Sequence, residues 1–133
     1  MLVTSSSTCE TNPKWDIRGG NPPQFIFSGS GRLISLRVYG PGEKASESDT
    51  EPYGTRYWEI RPKYAYDLRT HAQLPPVSYG TVPEGFIQIY PDGSSPKPLF
   101  EGGRFGFSLD VEGGDAVNAL FTIRQNKVVV EPH

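Results

Sequence analysis

The residue types that carry most protein chemistry are scarce in this 133-residue chain. Its two histidines are His71 and the terminal His133, and its one cysteine is Cys9, so no zinc-ligand spacing exists. Asp92-Gly93-Ser94 lacks the acidic residues of a calcium loop and is interpreted as an ordinary turn. Gly29-Ser30-Gly31 has neither the five-residue nucleophile elbow nor the third glycine of a dinucleotide loop. We therefore predict no catalytic residue, no metal site and no cofactor.

Paired carboxylates are the remaining route to catalysis. Glu59 and Asp110 both alternate with apolar residues, so each is expected on the polar side of a strand. Two carboxylates can hydrolyse glycosides when their separation is right, and sandwich folds host such enzymes. The sequence sets no separation between these two residues. The prediction is that the protein is not an enzyme.

Tyrosines give the clearest candidate for ligand binding. Solvent-facing aromatic rings on a β-sandwich can stack on sugars or contact a protein partner. The competing interpretation is that these tyrosines bury their rings at the edges of the core and leave their hydroxyls wet. The candidate stacking residues are Tyr57, Tyr64, Tyr66, Tyr79 and Tyr90.

Cys9 is a candidate for lipid attachment or another surface tether. It follows Leu2-Val3 and a Ser/Thr run, as an anchoring cysteine can in bacterial envelope proteins. Ser6-Ser7-Thr8 departs from the usual lipobox, which has an aliphatic residue three places upstream and Gly or Ala just before the cysteine. The alternative is a free thiol in a flexible terminus, and a single cysteine excludes an intrachain disulfide. Residues 1–12 are polar and aperiodic and are predicted to be disordered.

Charge and hydropathy exclude several partner classes. The chain has 13 Lys and Arg against 15 Asp and Glu, a formal net charge of −2, and no cluster of three or more basic residues. A protein that neutralises several phosphates needs such a cluster, so neither nucleic acid nor an anionic membrane is an expected partner. No apolar run approaches the roughly 18 residues of a membrane span. We expect a soluble chain with no transmembrane segment and a protein or glycan partner.

Short strands separated by turns must position these residues. The 15 Gly and 13 Pro have no repeating period, and 16 aromatic residues supply large apolar area. Period-two alternation predicts one domain over residues 13–133, all-β, folded as an antiparallel two-sheet sandwich of the seven-strand, immunoglobulin-like class. The predicted strands are Gln24–Ser28, Arg32–Tyr39, Thr55–Arg61, Gly85–Tyr90, Arg104–Glu112, Ala119–Arg124 and Lys127–Glu131.

The same alternation predicts the core and the irregular segments. Residues 13–23 are predicted to be an irregular lead-in and residues 40–54 a mobile loop, while residues 63–80 receive no assignment. The predicted core comprises Phe25, Phe27, Ile34, Leu36, Val38, Trp58, Ile60, Ile87, Ile89, Phe105, Phe107, Leu109, Val111, Phe121 and Ile123.

Residues 99–111 resemble the late-strand signature of fibronectin type III and related immunoglobulin-like modules. Leu99, Gly102-Gly103 and Phe105 stand where that family has a leucine, a turn glycine and an aromatic residue, and Trp58 stands for its core tryptophan. The family's aromatic residue is a tyrosine whose hydroxyl bonds to the corner backbone, a bond that Phe105 cannot make. The resemblance implies an immunoglobulin-like architecture.

The polar start with an early cysteine, before a body rich in Gly, Pro and aromatic residues, also resembles small uncharacterised bacterial lipoproteins. That resemblance implies a secreted or envelope-anchored location, with a cytoplasmic one left open. The resulting expectation is a non-enzymatic extracytoplasmic module with a structural or protein-interaction role. The alternative is a carbohydrate-binding module of the same architecture that uses exposed Tyr and Trp side chains. Neither reading fixes an oligomeric state.

Overall fold

A computed structural model describes residues 13–29, 32–41, 54–63, 75–112 and 116–131. These residues form two antiparallel sheets that pack together as a β-sandwich, which confirms the predicted all-β, two-sheet architecture, while the immunoglobulin-like class stays a prediction. In the part of the chain that the structure describes, no helix has the length and apolar composition needed to cross a membrane. The predicted disordered segment, Cys9, and most of the predicted mobile loop lie outside the described residues.

The described residues contain nine strands in two sheets. All seven predicted strands are present with ends within two residues of those expected. The smaller sheet has the order β1-β2-β5 and the larger has the order β6-β4-β3-β7-β8-β9. The strands are β1 Pro13–Gly19, β2 Pro23–Gly29, β3 Leu33–Gly40, β4 Thr55–Pro62, β5 Val77–Ser78, β6 Phe86–Tyr90, β7 Arg104–Val111, β8 Val117–Arg124 and β9 Lys127–Val130.

Aromatic side chains fill the space between the sheets. The ring of Phe25 from the small sheet stacks on Phe107 of the large sheet with centroids 5.1 Å apart. Phe105 and Phe121 lie beside that pair, with centroids 5.7 Å apart. Trp58 has no exposed surface, and its indole N–H donates to the side-chain oxygen of Gln88 over 2.8 Å. Burial of these large rings supplies much of the stabilising free energy of the fold.

The β8–β9 turn confirms the predicted hairpin. Gln125 and Asn126 have φ values of 52° and 59°, the positive values that a two-residue hairpin turn of the primed type requires. The Glu101 carboxylate accepts hydrogen bonds from both of their backbone N–H groups, over 2.6 and 3.0 Å. Gly20, after β1, lies so close that a Cβ there would collide with the Asn126 carbonyl. Glu101 therefore holds the turn of the hairpin, and the segment after β1 packs closely against that turn.

Three predicted core residues lie elsewhere. Ile34 and Ile87 are each 40% exposed and Ile89 is half-buried, whereas the other predicted core residues are buried. The ladder between β3 and β7 shifts register between Leu33 and Ser35, so Ile34 is displaced from the inner face. In β6 the phase is the reverse of the predicted one, because Phe86 faces inward and is buried.

The segment predicted as an irregular lead-in contains β1. Its Ile17 is buried in the core, and Trp15 packs against that core with its ring 5.4 Å from that of Phe107. Trp15 and Ile17 alternate with Asp16 and Arg18, so the period-two signal was present between the flanking Pro and Gly residues.

Candidate functional site

The candidate stacking tyrosines Tyr57 and Tyr79 are part of the core. They are 5% and 6% exposed. The Tyr57 hydroxyl donates to the Pro41 carbonyl over 2.7 Å, and the Tyr79 hydroxyl donates to the Lys97 carbonyl over 2.6 Å. Neither residue offers the solvent-facing ring that stacking requires, so the competing interpretation, a buried ring, describes both.

Burial also governs the acidity of these two phenols. Desolvation raises the pKa of Tyr57 above 10.0. It raises the pKa of Tyr79 much further, and repulsion from Tyr57 adds to that increase. Both hydroxyls therefore stay neutral donors at physiological pH.

Tyr90 is half-buried at the end of β6, and one face of its ring is occupied. The Arg56 guanidinium lies 4.3 Å from the ring centroid, within the range of a cation–π contact. Tyr64, Tyr66 and Cys9 lie outside the described residues, so their proposed roles, with lipid attachment and an extracytoplasmic location, stay predictions.

An arginine cluster, formed by Arg56, Glu59 and Arg61, lies on the outer face of the large sheet. Glu59 points outward because Trp58 and Ile60 on either side of it face the core, yet it is only 2% exposed. Its carboxylate accepts from Nη1 of Arg56 and from Nε of Arg61, each over 2.9 Å. The cluster carries two positive charges against one negative charge, and its arginine side chains are 38% and 54% exposed.

A second ionic group lies on the same face. Asp110 accepts a hydrogen bond from Ser35 over 2.7 Å and pairs with Arg37, which also donates to the Tyr39 hydroxyl over 3.3 Å. Burial lowers the pKa of Arg37, but the hydrogen bonds and charges of Asp110 and Tyr39 outweigh it and raise that pKa overall. The carboxylates of Glu59 and Asp110 are thus both held by arginines.

A shallow cleft of about 420 Å³ lies on the other side of β6, between the segments that precede and follow this strand. The Gln88 side chain forms part of it and is fully used, because its amide nitrogen donates to the carbonyls of Pro91 and Ser94 over 2.7 and 2.8 Å while its oxygen accepts from Trp58. These bonds hold the predicted turn around Gly93, whose φ is 74°. The cleft is lined by Gly80, Val82, Gln88, Gly93, Ser94, Ser95 and Pro96.

Strand β6 separates the cleft from the arginine cluster and forms an edge of the large sheet. Its one strand neighbour among the described residues is β4. The sequence of β6, from Phe86 to Tyr90, contains no charged residue, and Ile87 lies directly opposite Arg61 in the ladder. Edge strands usually carry charges or Pro that discourage pairing with other chains. The arginine cluster, the cleft and the edge strand β6 together form the candidate site.

Sequence reasoning named Glu59 but missed Arg56 and Arg61. Arg61 is two residues from Glu59 and shares its face, which alternation alone could have indicated. Arg56 reaches that face because the register of β3 and β4 shifts at Tyr39, which pairs with Arg56 and leaves Tyr57 without a cross-strand partner. The sequence carries no direct signal for that bulge.

The described residues contain no group of three or more His, Cys, Asp or Glu that could hold a metal ion. No protein-family model, curated protein or solved structure matches the chain.

Proposed function

We propose that this chain is a non-enzymatic protein-interaction module that takes an extended segment of a partner as an additional strand beside β6. The observation that carries the proposal is the uncharged edge strand Phe86–Tyr90 with its 40% exposed Ile87. An extended peptide gains main-chain hydrogen bonds from such an edge, and pockets for alternate side chains give specificity.

The backbone of β6 supports this proposal. Beyond its ladder with β4, the one further backbone bond that begins in β6 among the described residues runs from the Phe86 N–H to the Pro83 carbonyl over 3.1 Å. The other edge strands differ, because β1 carries Lys14, Asp16 and Arg18, β9 begins with Lys127, and β5 has only two residues.

The competing functions have less support. Hydrolysis by a carboxylate pair needs side chains free to exchange protons or attack, whereas Glu59 and Asp110 are each held by arginine. Glycan binding by stacking needs exposed rings, but Tyr57 and Tyr79 are buried in the core and Arg56 covers one face of Tyr90.

A displayed library of random heptapeptides, selected on the purified chain, tests the proposal. Ile87→Glu places a negative charge on the edge and should reduce binding of the selected peptides at least tenfold. Ile34→Glu is the matched control, since Ile34 is also 40% exposed but lies on the central strand β3. It should bind the peptides as the wild type does.

Failure to enrich any peptide on the wild type over Ile87→Glu would contradict the proposal. Binding in a glycan array that is lost in Tyr90→Ala would favour the carbohydrate-binding alternative instead.

A further inference from the structure

We infer that the segment bound at β6 is acidic, with Asp or Glu side chains that meet Arg56 and Arg61. The inference rests on the proposed function and adds the chemical class of the partner. A strand paired with β6 sends alternate side chains to the two faces of the sheet. One set passes the outer face beside Ile87, which pairs with Arg61, and beside Tyr90, which a register shift between β4 and β6 pairs with Glu59. The other set passes the cleft beside Gln88.

The outer face offers unbalanced positive charge. Glu59 supplies one carboxylate to two guanidinium groups and engages Nη1 of Arg56 and Nε of Arg61. A guanidinium has five N–H donors, so most donors of each arginine are not used by Glu59. The buried carboxylate fixes both arginines in place, which lowers the entropy lost when they bind a further anion.

Both arginines lie beside β6, and Arg61 is directly opposite Ile87 in the ladder. Arg56 extends from β4 across to β6, where its guanidinium lies 4.3 Å from the Tyr90 ring. The next strand would lie only about 4.8 Å beyond β6, a distance that an Asp or Glu side chain spans. Charge-assisted hydrogen bonds between guanidinium and carboxylate are among the strongest that a peptide can form.

The side of the bound segment that faces the cleft favours a different kind of side chain. The polar atoms of Gln88 are already bonded to Trp58, Pro91 and Ser94, and the other residues that line the cleft are small or uncharged, two of them Ser94 and Ser95. A charged group would find no opposite charge among these side chains, so small uncharged residues suit this side. The expected segment alternates acidic and uncharged residues.

A second copy of the chain is a poorer occupant. Two β6 strands paired antiparallel about a two-fold axis perpendicular to the sheet would place both arginine clusters on the same face. Each cluster has an excess positive charge, so this pairing brings like charges together. An acidic segment from another protein removes the imbalance.

Sequencing of the peptides selected on the wild-type chain tests the inference directly. We expect Asp or Glu to be enriched at every second position, with uncharged residues between them. For one selected peptide made synthetically, fluorescence anisotropy should give a Kd at least fivefold higher with Arg61→Gln. Arg61→Lys keeps the charge but loses the planar guanidinium, so its Kd should lie between those of the wild type and Arg61→Gln.

Arg104→Gln is the matched control for Arg61→Gln. Arg104 is 64% exposed and pairs with Glu131, which follows β9 and lies away from β6, so its loss should leave the Kd unchanged. The melting temperature of each variant establishes that it is folded. If Arg61→Gln does not fold, the composition of the selected peptides still decides the matter.

Three outcomes would overturn the inference. Selected peptides that lose binding in Ile87→Glu but show no acidic bias would contradict it while the proposed function stands. A concentration-dependent dimer in sedimentation that Ile87→Glu abolishes would identify a second copy as the occupant. No selected peptide at all, with no such dimer, would remove the proposed function and the inference together.

Discussion

The two edges of the large sheet differ in their charged residues and in their contacts with other segments. At one edge, β9 begins with Lys127, its turn is held by Glu101, and β1 lies against it through the close approach of Gly20 to Asn126. At the other edge, β6 has no charge and one strand neighbour among the described residues. Charged side chains and covering contacts discourage pairing with another chain, so β6 is the less protected edge of this sheet in the part of the chain that the structure describes.

The ion pairs beside the two edges differ in burial and in the number of arginines that each carboxylate holds. Glu59, next to β6, is 2% exposed and holds two arginines, whereas Glu131, after β9, is 34% exposed and pairs with one. A buried carboxylate with two partners fixes its neighbours, while an exposed pair contributes little. The β6 side therefore has the more rigid surface, which suits recognition.

The largest expected effect comes from the core that both edges share. Phe107→Ala should lower the free energy of unfolding by roughly 3–5 kcal/mol, because it leaves a cavity beneath Phe25 and Trp15. Urea denaturation measures the change. A loss below about 1 kcal/mol would mean that the face carrying Phe107 does not stabilise the two edges in common.

A smaller effect should separate the two ion pairs. Glu59→Gln leaves Arg56 and Arg61 without their shared carboxylate, and we expect a loss of roughly 1–3 kcal/mol. Glu131→Gln at the β9 edge should change stability by no more than about 0.5 kcal/mol. Equal losses in the two variants, measured by urea denaturation, would show that the edges do not differ in this respect.

The third prediction concerns the two buried phenols, of which Tyr79 packs on Trp58 next to β6. Burial raises the pKa of Tyr57 and Tyr79 above 10.0, so folding favours their neutral form. Their stabilising contribution is fully present below the unfolded pKa of about 10 and is lost as the pH rises through the folded-state values. Denaturant unfolding at a series of alkaline pH values should show this loss, with a shallower slope in Tyr79→Phe. An identical slope in that variant would contradict the assignment to Tyr79.

Much of the fold could be predicted because local alternation determines which residues face inward. Phe105, Phe107 and Leu109 follow it without interruption, and their strand was predicted correctly. Ile34 did not, because a bulge in β3 depends on how that strand meets β7. Periodicity in one strand contains no information about such long-range register.

The site was less predictable for the same physical reason. That β6 is an edge follows from the order β6-β4-β3, and the convergence of Arg56 on Glu59 follows from a register shift between β3 and β4. Both are properties of pairing between distant segments. Alternation in the sequence indicates that Glu59 is on the polar side of its strand, but it does not indicate the role of Arg56 and Arg61 or that β6 is an edge.

The smallest expected effect is the change in stability when the exposed isoleucines of β6 and β3 are replaced by a charged residue. Ile87→Glu and Ile34→Glu should each change the free energy of unfolding by no more than about 0.5 kcal/mol, because both side chains are already 40% exposed. Stability alone should not distinguish them, so any difference in peptide binding reports the position of the residue rather than damage to the fold. Thermal and urea unfolding of both variants provide the measurement. A large loss in Ile87→Glu alone would mean that Ile87 is packed against another part of the chain, and the β6 edge would then be protected after all.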